Sequence, residues 1–168
     1  MHKRNNTFNP KDEMRTPPSL FRKLDDRFDF TVDIAASIDN KLTHYFFDDF
    51  LSEGHHLTMS DVAYCNPPYS RGKVELFVKK SYEESLKGAI VVMLLPVDFS
   101  ARWWDYCMKA TEWIRITSRV HFNGIDNKPI KGSPFFSSVV VVFDEQAKNN
   151  PFLQKHGNIP YISEMDWR

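Results

Sequence analysis

Apolar positions in this chain recur first at a helical period and then in short dense runs. Residues 16–28, TPPSLFRKLDDRF, put Leu20, Phe21 and Leu24 on one face behind a Pro-Pro pair suited to a first turn, so a helix is expected there. Residues 28–36, FDFTVDIAA, alternate and are β-branched, and read as a strand running into a small-residue turn. Residues 42–51, LTHYFFDDFL, fit either a short strand ending at Asp48-Asp49 or part of a helix. The next strand, VAYC at 62–65, is stopped by an asparagine and two prolines. Residues 71–88 carry Val74, Phe77, Val78 and Tyr82 on one face and close at Gly88, which predicts an amphipathic helix. AIVVMLLPVDF at 89–99 reads as a strand buried on both faces. A helix over 100–111 follows, with Ser100 as its N-cap, and then strands at 112–122 and 135–145 joined by a turn-rich segment. Residues 1–15 read as a loose polar arm, and 146–168 as a polar tail with Tyr161 and Trp167 near its end. With no repeat and no break, the 168 residues are expected to form one compact domain.

Strands alternating with helices predict an α/β fold, a mostly parallel sheet with helices on both faces. The last two strands are joined by too short a loop for a crossover, so one strand near the C-terminus is reversed. Ligands of such sheets bind beyond the carboxyl ends of the parallel strands. The loops at that edge are those after 33–36, at 66–70, at 96–100 and at 123–134.

Composition narrows the chemistry only a little. Lys and Arg number 22, as do Asp and Glu, so no global field draws the chain to nucleic acid and any such contact needs a local basic patch. Cys65 and Cys107 sit apart in apolar contexts, the pattern of buried thiols in a reducing compartment. The six histidines have no ligand spacing, so no metal site is expected. The polar start is no secretory signal, and the longest apolar run, 89–97, is too short to span a bilayer. A cytoplasmic protein without a membrane partner is expected.

The stopped strand carries the clearest chemistry. The Asn66 carboxamide and the Pro67 carbonyl are both acceptors, and the proline ring fixes the direction of its C=O. Two acceptors converging on one point suit an exocyclic amino group. Pro68 stiffens the turn, and Tyr69 offers a π-face for a flat ring. Together they describe a pocket for a planar aminated heterocycle.

Asn66-Pro67-Pro68-Tyr69 after an apolar strand resembles the catalytic motif of amino-group methyltransferases that use S-adenosylmethionine. More specifically, the chain is similar to phage-type DNA N6-adenine methyltransferases. TPPSLFRKLDDRFDFTVDIAAS (16–37), NK (40–41), DDFL (48–51), CNPPYSRGK (65–73), LLPVDFSARWWDY (94–106), SRVHF (118–122) and SPFFSSVVVVF (133–143) match that family's features in order. Two positions depart from its pattern. Ser118 stands where a glycine is expected, and no tryptophan precedes the catalytic strand.

The resemblance implies a Rossmann-like class I methyltransferase fold and S-adenosylmethionine as cofactor. It also implies double-stranded DNA as partner, with the target adenine flipped out of the stack. Asn66 and Pro67 would accept the two N6 hydrogens, and Tyr69 would stack on the base. Asp33, at its strand end, would meet the ammonium of the cofactor's methionine portion, with Ala35 and Ala36 small enough for close approach. Thr16 and Pro17 would wall the cofactor, by resemblance alone. Asp48 or Asp49 would bind the ribose hydroxyls, and the sequence does not choose between them. Arg71 and Lys73, with Lys128 and Lys131 on the loop at the same edge, are the expected phosphate contacts. Sequence specificity is left to the arm, the 123–134 loop or a second subunit, as in a homodimer. If phage-encoded, the chain would work in the host cytoplasm, with evasion of restriction as one purpose. The same acceptor pair also suits an amino group in RNA or protein, and a catalytically inactive DNA-binding subunit is the remaining alternative.

Overall fold

The computed structural model describes residues 12–132, 136–151 and 159–168. Helix α1, Pro18–Phe28, starts behind Pro17, where a missing N–H costs nothing, and ends at Asp29 in the left-handed region (φ 55°). It buries Leu20, Phe21 and Leu24. The strands are β1 (Val32–Asp33), β2 (Tyr45–Phe46), β3 (Val62–Cys65), β4 (Ile90–Pro96), β5 (Glu112–Ile116), β6 (Ser138–Phe143) and β7 (Tyr161–Met165). Helix α2, Lys73–Ser85, joins β3 to β4, and α3, Trp104–Cys107, joins β4 to β5.

One seven-stranded sheet runs β2-β1-β3-β4-β6-β5-β7. Among the described strands only β6 is reversed, antiparallel to β4 and β5, while the other pairings are parallel. The expected α/β architecture with one antiparallel strand is therefore the observed one. Successive β4 residues alternate between two cores. Val91, Met93 and Leu95 pack with Val74, Phe77 and Val78 of α2 and Trp104 of α3. Val92 and Leu94 pack on the other face with Leu20, Phe21 and Leu24 of α1. Burial on both faces explains why 90–96 reads as a continuous apolar run.

The elements differ from expectation at their ends. The 28–36 strand shrinks to a paired core at Val32–Asp33, because the Asp33 carboxylate accepts the Ala35 N–H and turns the chain. The ambiguous 42–51 segment contains β2, which extends the sheet beside β1. Ser100 does not cap a helix. Its N–H and hydroxyl both bond to Asp98 Oδ1, a run of tight i→i+3 turns follows, and the α-helix is confined to Trp104–Cys107. The 112–122 strand ends at Ile116, and Val120 and Phe122 turn into the core.

Both chain ends carry more structure than their polarity predicts. In the tail, β7 pairs parallel with β5, and Trp167 is buried. Lys23 Nζ holds the tail by donating to the Asp166 and Arg168 carbonyls. In the arm, residues 12–15 are docked, with Arg15 and Asn123 exchanging two backbone hydrogen bonds at 2.8 and 2.9 Å. Residues 1–11 of the arm and 133–134 of the loop lie outside the described residues.

Candidate active site

From β1 the chain moves outward to β2, then returns across β1 to form β3, from which it proceeds to β4 on the other side. The carboxyl ends of β1 and β3 are thus a topological switch point, where parallel sheets leave a crevice. A cleft of about 1130 Å³ opens there. It is lined by the loops after β1 and β2, by Tyr64, Asn66 and Pro68 of the β3 end, and by residues of the arm and of 123–127. Single small-molecule sites span roughly 300–1,000 Å³, so the cleft is wide enough for a cofactor and part of a second ligand.

Asn66 is held at one end of its amide. Nδ2 donates to the Met14 carbonyl at 2.7 Å, which fixes the orientation of the group. Oδ1 is buried with no hydrogen-bond partner among the described residues. An unpartnered buried acceptor costs about 1–3 kcal/mol, so a donor brought there by a ligand would be stabilised. The arm secures the same turn from outside. Asp12 accepts the Ser70 N–H at 2.8 Å and pairs with Lys73 Nζ at 2.7 Å. Burial works to raise the Asp12 pKa, but these bonds outweigh it and hold the carboxyl below its usual value. Farther along, the Thr16 and Tyr64 hydroxyls share a buried hydrogen bond of 2.7 Å.

Tyr69 is pinned from inside. Its hydroxyl donates to the Leu94 carbonyl of β4 at 3.0 Å, and Phe122 and Phe136 meet its ring edge-to-face at 5.8 and 5.6 Å. Burial pushes its pKa far up, so it stays a neutral donor. Its ring is half-buried and lies outside the lining of the cleft that holds Asn66 and Pro68.

Asp33 is 3% exposed. Its two carboxylate oxygens accept the Ala35 and Leu42 N–H groups, each at 3.2 Å, and so clamp both ends of the intervening loop. Burial raises its pKa to about 6 despite these two bonds. Ala35 and Ala36 follow on the cleft wall, as does Thr16, whereas the neighbouring proline on the wall is Pro18 and not Pro17. Asp48 and Asp49 both line the cleft after β2. The Asp49 carboxylate accepts the Ser52 hydroxyl, while Asp48 is exposed and bonds to no described residue.

The expected phosphate contacts divide. Arg71, Lys128 and Lys131 are exposed but do not line the cleft, whereas Lys73 lines it and pairs with Asp12. Among the described residues no three His, Cys, Asp or Glu cluster as metal ligands, and no helix is long and apolar enough to cross a membrane. The contributions of Asp12, Met14 and Arg15 were not visible in the sequence, since they lie in a polar arm and partly act through backbone atoms.

The DNA N-6-adenine-methyltransferase (Dam) family profile matches residues 3–166. The chain belongs to this family. A DNA N-6-adenine-methyltransferase of Escherichia phage T1 is 30% identical over 102 residues. That match covers 56% of this chain and 40% of the phage protein's length. Family membership agrees with the α/β sheet, its single reversed strand and the cleft at its switch point.

Proposed function

We propose that this chain transfers a methyl group from S-adenosylmethionine to N6 of adenine in double-stranded DNA, with the target base flipped into the cleft. The observation that carries this reading is the buried, unpartnered Oδ1 of Asn66 at the mouth of a Pro-Pro turn. Membership of the Dam family supports the choice of adenine N6 over other amino groups.

The residues present fit the cofactor. Its positive ammonium suits the buried Asp33 carboxylate, whose burial leaves a charge that a cation would compensate. Asp48, with no partner among the described residues, is assigned to the ribose hydroxyls, and Asp49 to bracing the turn through Ser52. S-Adenosylmethionine, when bound, supplies a sulfonium methyl. Asn66 Oδ1 and the Pro67 carbonyl accept the two N6 hydrogens, orienting the lone pair and adding electron density to the nitrogen. Met14 and Asp12 keep that acceptor pair in place, so positioning supplies most of the rate. Tyr69, braced by Leu94, Phe122 and Phe136 outside the cleft lining, would meet a base held at Asn66 only at the rim of the cleft. Arg71, Lys128 and Lys131 grip phosphates, with Lys73 contributing less because Asp12 neutralises it.

Transfer of labelled methyl should be measured on DNA, RNA and protein acceptors in parallel. Label in DNA alone is expected. Label only in RNA or protein would move the acceptor class, and binding of cofactor without transfer to any of them would favour an inactive DNA-binding subunit.

A further inference from the structure

Arg15 joins three parts of the cleft that are otherwise separate. Its backbone N–H and C=O both pair with Asn123, making the arm a short strand against the hairpin of residues 122–130. That hairpin is closed by Ile130 N–H to Phe122 O and Gly124 N–H to Lys128 O, each 2.9 Å. The Arg15 side chain reaches its tip, where Nη1 donates to Asn127 Oδ1 at 2.9 Å. The same Nη1 donates at 3.2 Å to the carbonyl of Asp39, in the loop whose ends Asp33 clamps. The guanidinium is planar, so these two bonds set the direction of its remaining donors. One of them, Nε–H, is buried and has no acceptor among the described residues, although Arg15 lines the cleft.

Resting on the methyltransferase reading, we propose that Arg15 is a positioning residue that couples the cofactor to the hairpin. Nε donates to the carboxylate of the cofactor's methionine portion, and Nη1 transmits that occupancy to the tip of 122–130. A guanidinium is the side chain matched to a carboxylate, and Asp33, which braces the same loop, takes the ammonium of the same group. Nε gives the bound state a contact that the free state lacks, the differential interaction any such shift requires. The hairpin carries Lys128, so cofactor binding steadies a surface that faces DNA. By linkage, DNA held on the hairpin tightens the cofactor by the same factor.

Amide hydrogen exchange on the full chain tests this with two probes. S-Adenosylhomocysteine carries the aminoacyl group, and 5′-methylthioadenosine lacks it. At saturation, S-adenosylhomocysteine should slow exchange over 124–130 by at least about fivefold. Methylthioadenosine should slow only the loops after β1 and β2. Arg15→Ala removes a cofactor contact and the bond to Asp39, so with S-adenosylhomocysteine raised to saturate the weaker site it should retain part of the loop protection and lose the hairpin protection. Asn127→Gly cuts the same link at its other end, and the positive φ of 57° at that position suits glycine, so this variant should fold and lose protection at the tip. Equal hairpin slowing by both probes, or in either variant, overturns the coupling. Loop protection without hairpin protection in the unaltered chain overturns the coupling and leaves the cofactor reading standing. No protection anywhere overturns both.

Discussion

The Asn66 carboxamide is gripped at its nitrogen and, among the described residues, has no partner at its buried oxygen, and that asymmetry is the chemistry assigned to it. Asn66→Ala should therefore lower the transfer rate by about 10²–10³, the range for loss of one preorganised polar group. Cofactor affinity, measured by calorimetry, should stay unchanged. Asp33 gives a second residue-scale test. Its folded pKa of about 6 lies above the ~3.9 of an unfolded aspartate. Between those values the folded state binds more protons, so this group makes the unliganded protein less stable as pH rises, and above about 6 the whole cost, on the order of 3 kcal/mol, is present. Binding of a cation runs the other way. Cofactor affinity should fall as pH drops through about 6, and Asp33→Asn should remove that pH dependence together with most of the affinity. At this scale the sequence was partly legible. Asn66 and Pro67 stand out because few other reasons place an amide and two prolines at a buried strand end. Asp48 and Asp49 are chemically alike in sequence, and only the Ser52 contact separates them.

At the scale of elements, the arm and the turn at Asn66–Ser70 are joined by hydrogen bonds. Asp12 holds the Ser70 N–H and Lys73 from a segment about sixty residues away in sequence. Asp12→Ala should lower the transfer rate about tenfold, equivalent to ~1.4 kcal/mol, with little change in cofactor affinity. Asp12→Asn keeps an acceptor for the Ser70 N–H and should restore part of the rate, which simple loss of fold stability would not do. Helix α1, helix α2 and β4 were legible because each buries a periodic or continuous apolar face. The arm was not, because its hold on the turn uses backbone atoms and one carboxylate, neither of which leaves a pattern. Strand β7 was hidden for a different reason. Tyr161, Ser163 and Met165 are half-buried while Ile162 and Glu164 face out, so apolar and polar residues occur on both faces and the alternation cancels. The helix expected over 100–111 contracts to Trp104–Cys107, because the turns before it close by i→i+3 bonds in a segment where Ser100 donates its N–H and hydroxyl to Asp98.

For the whole molecule, the sheet order decides where everything else can work. The reversal of direction at β1 and β3 makes one crevice, and Asp33, Asp48, Asn66 and Arg15 reach it from four different segments. With zero net charge, the proposed DNA attraction has to come from local cations, for which Arg71, Lys128 and Lys131 are the candidates. Replacing any one of them with alanine should flatten the logarithmic salt dependence of DNA affinity by roughly one, while Lys73→Ala should flatten it less, which filter binding across a salt series would measure. Topology was legible to the level of one reversed strand, because loop length dictates it, whereas the seventh strand was not. The central claim is that the Asn66 amide directs methyl transfer to adenine N6. Its most direct test is mass spectrometry of nucleosides from duplex DNA incubated with S-adenosylmethionine and either the unaltered chain or Asn66→Ala. The account predicts N6-methyladenine with the first and almost none with the second. Equal N6-methyladenine from both, or a methylated base other than adenine, would contradict it.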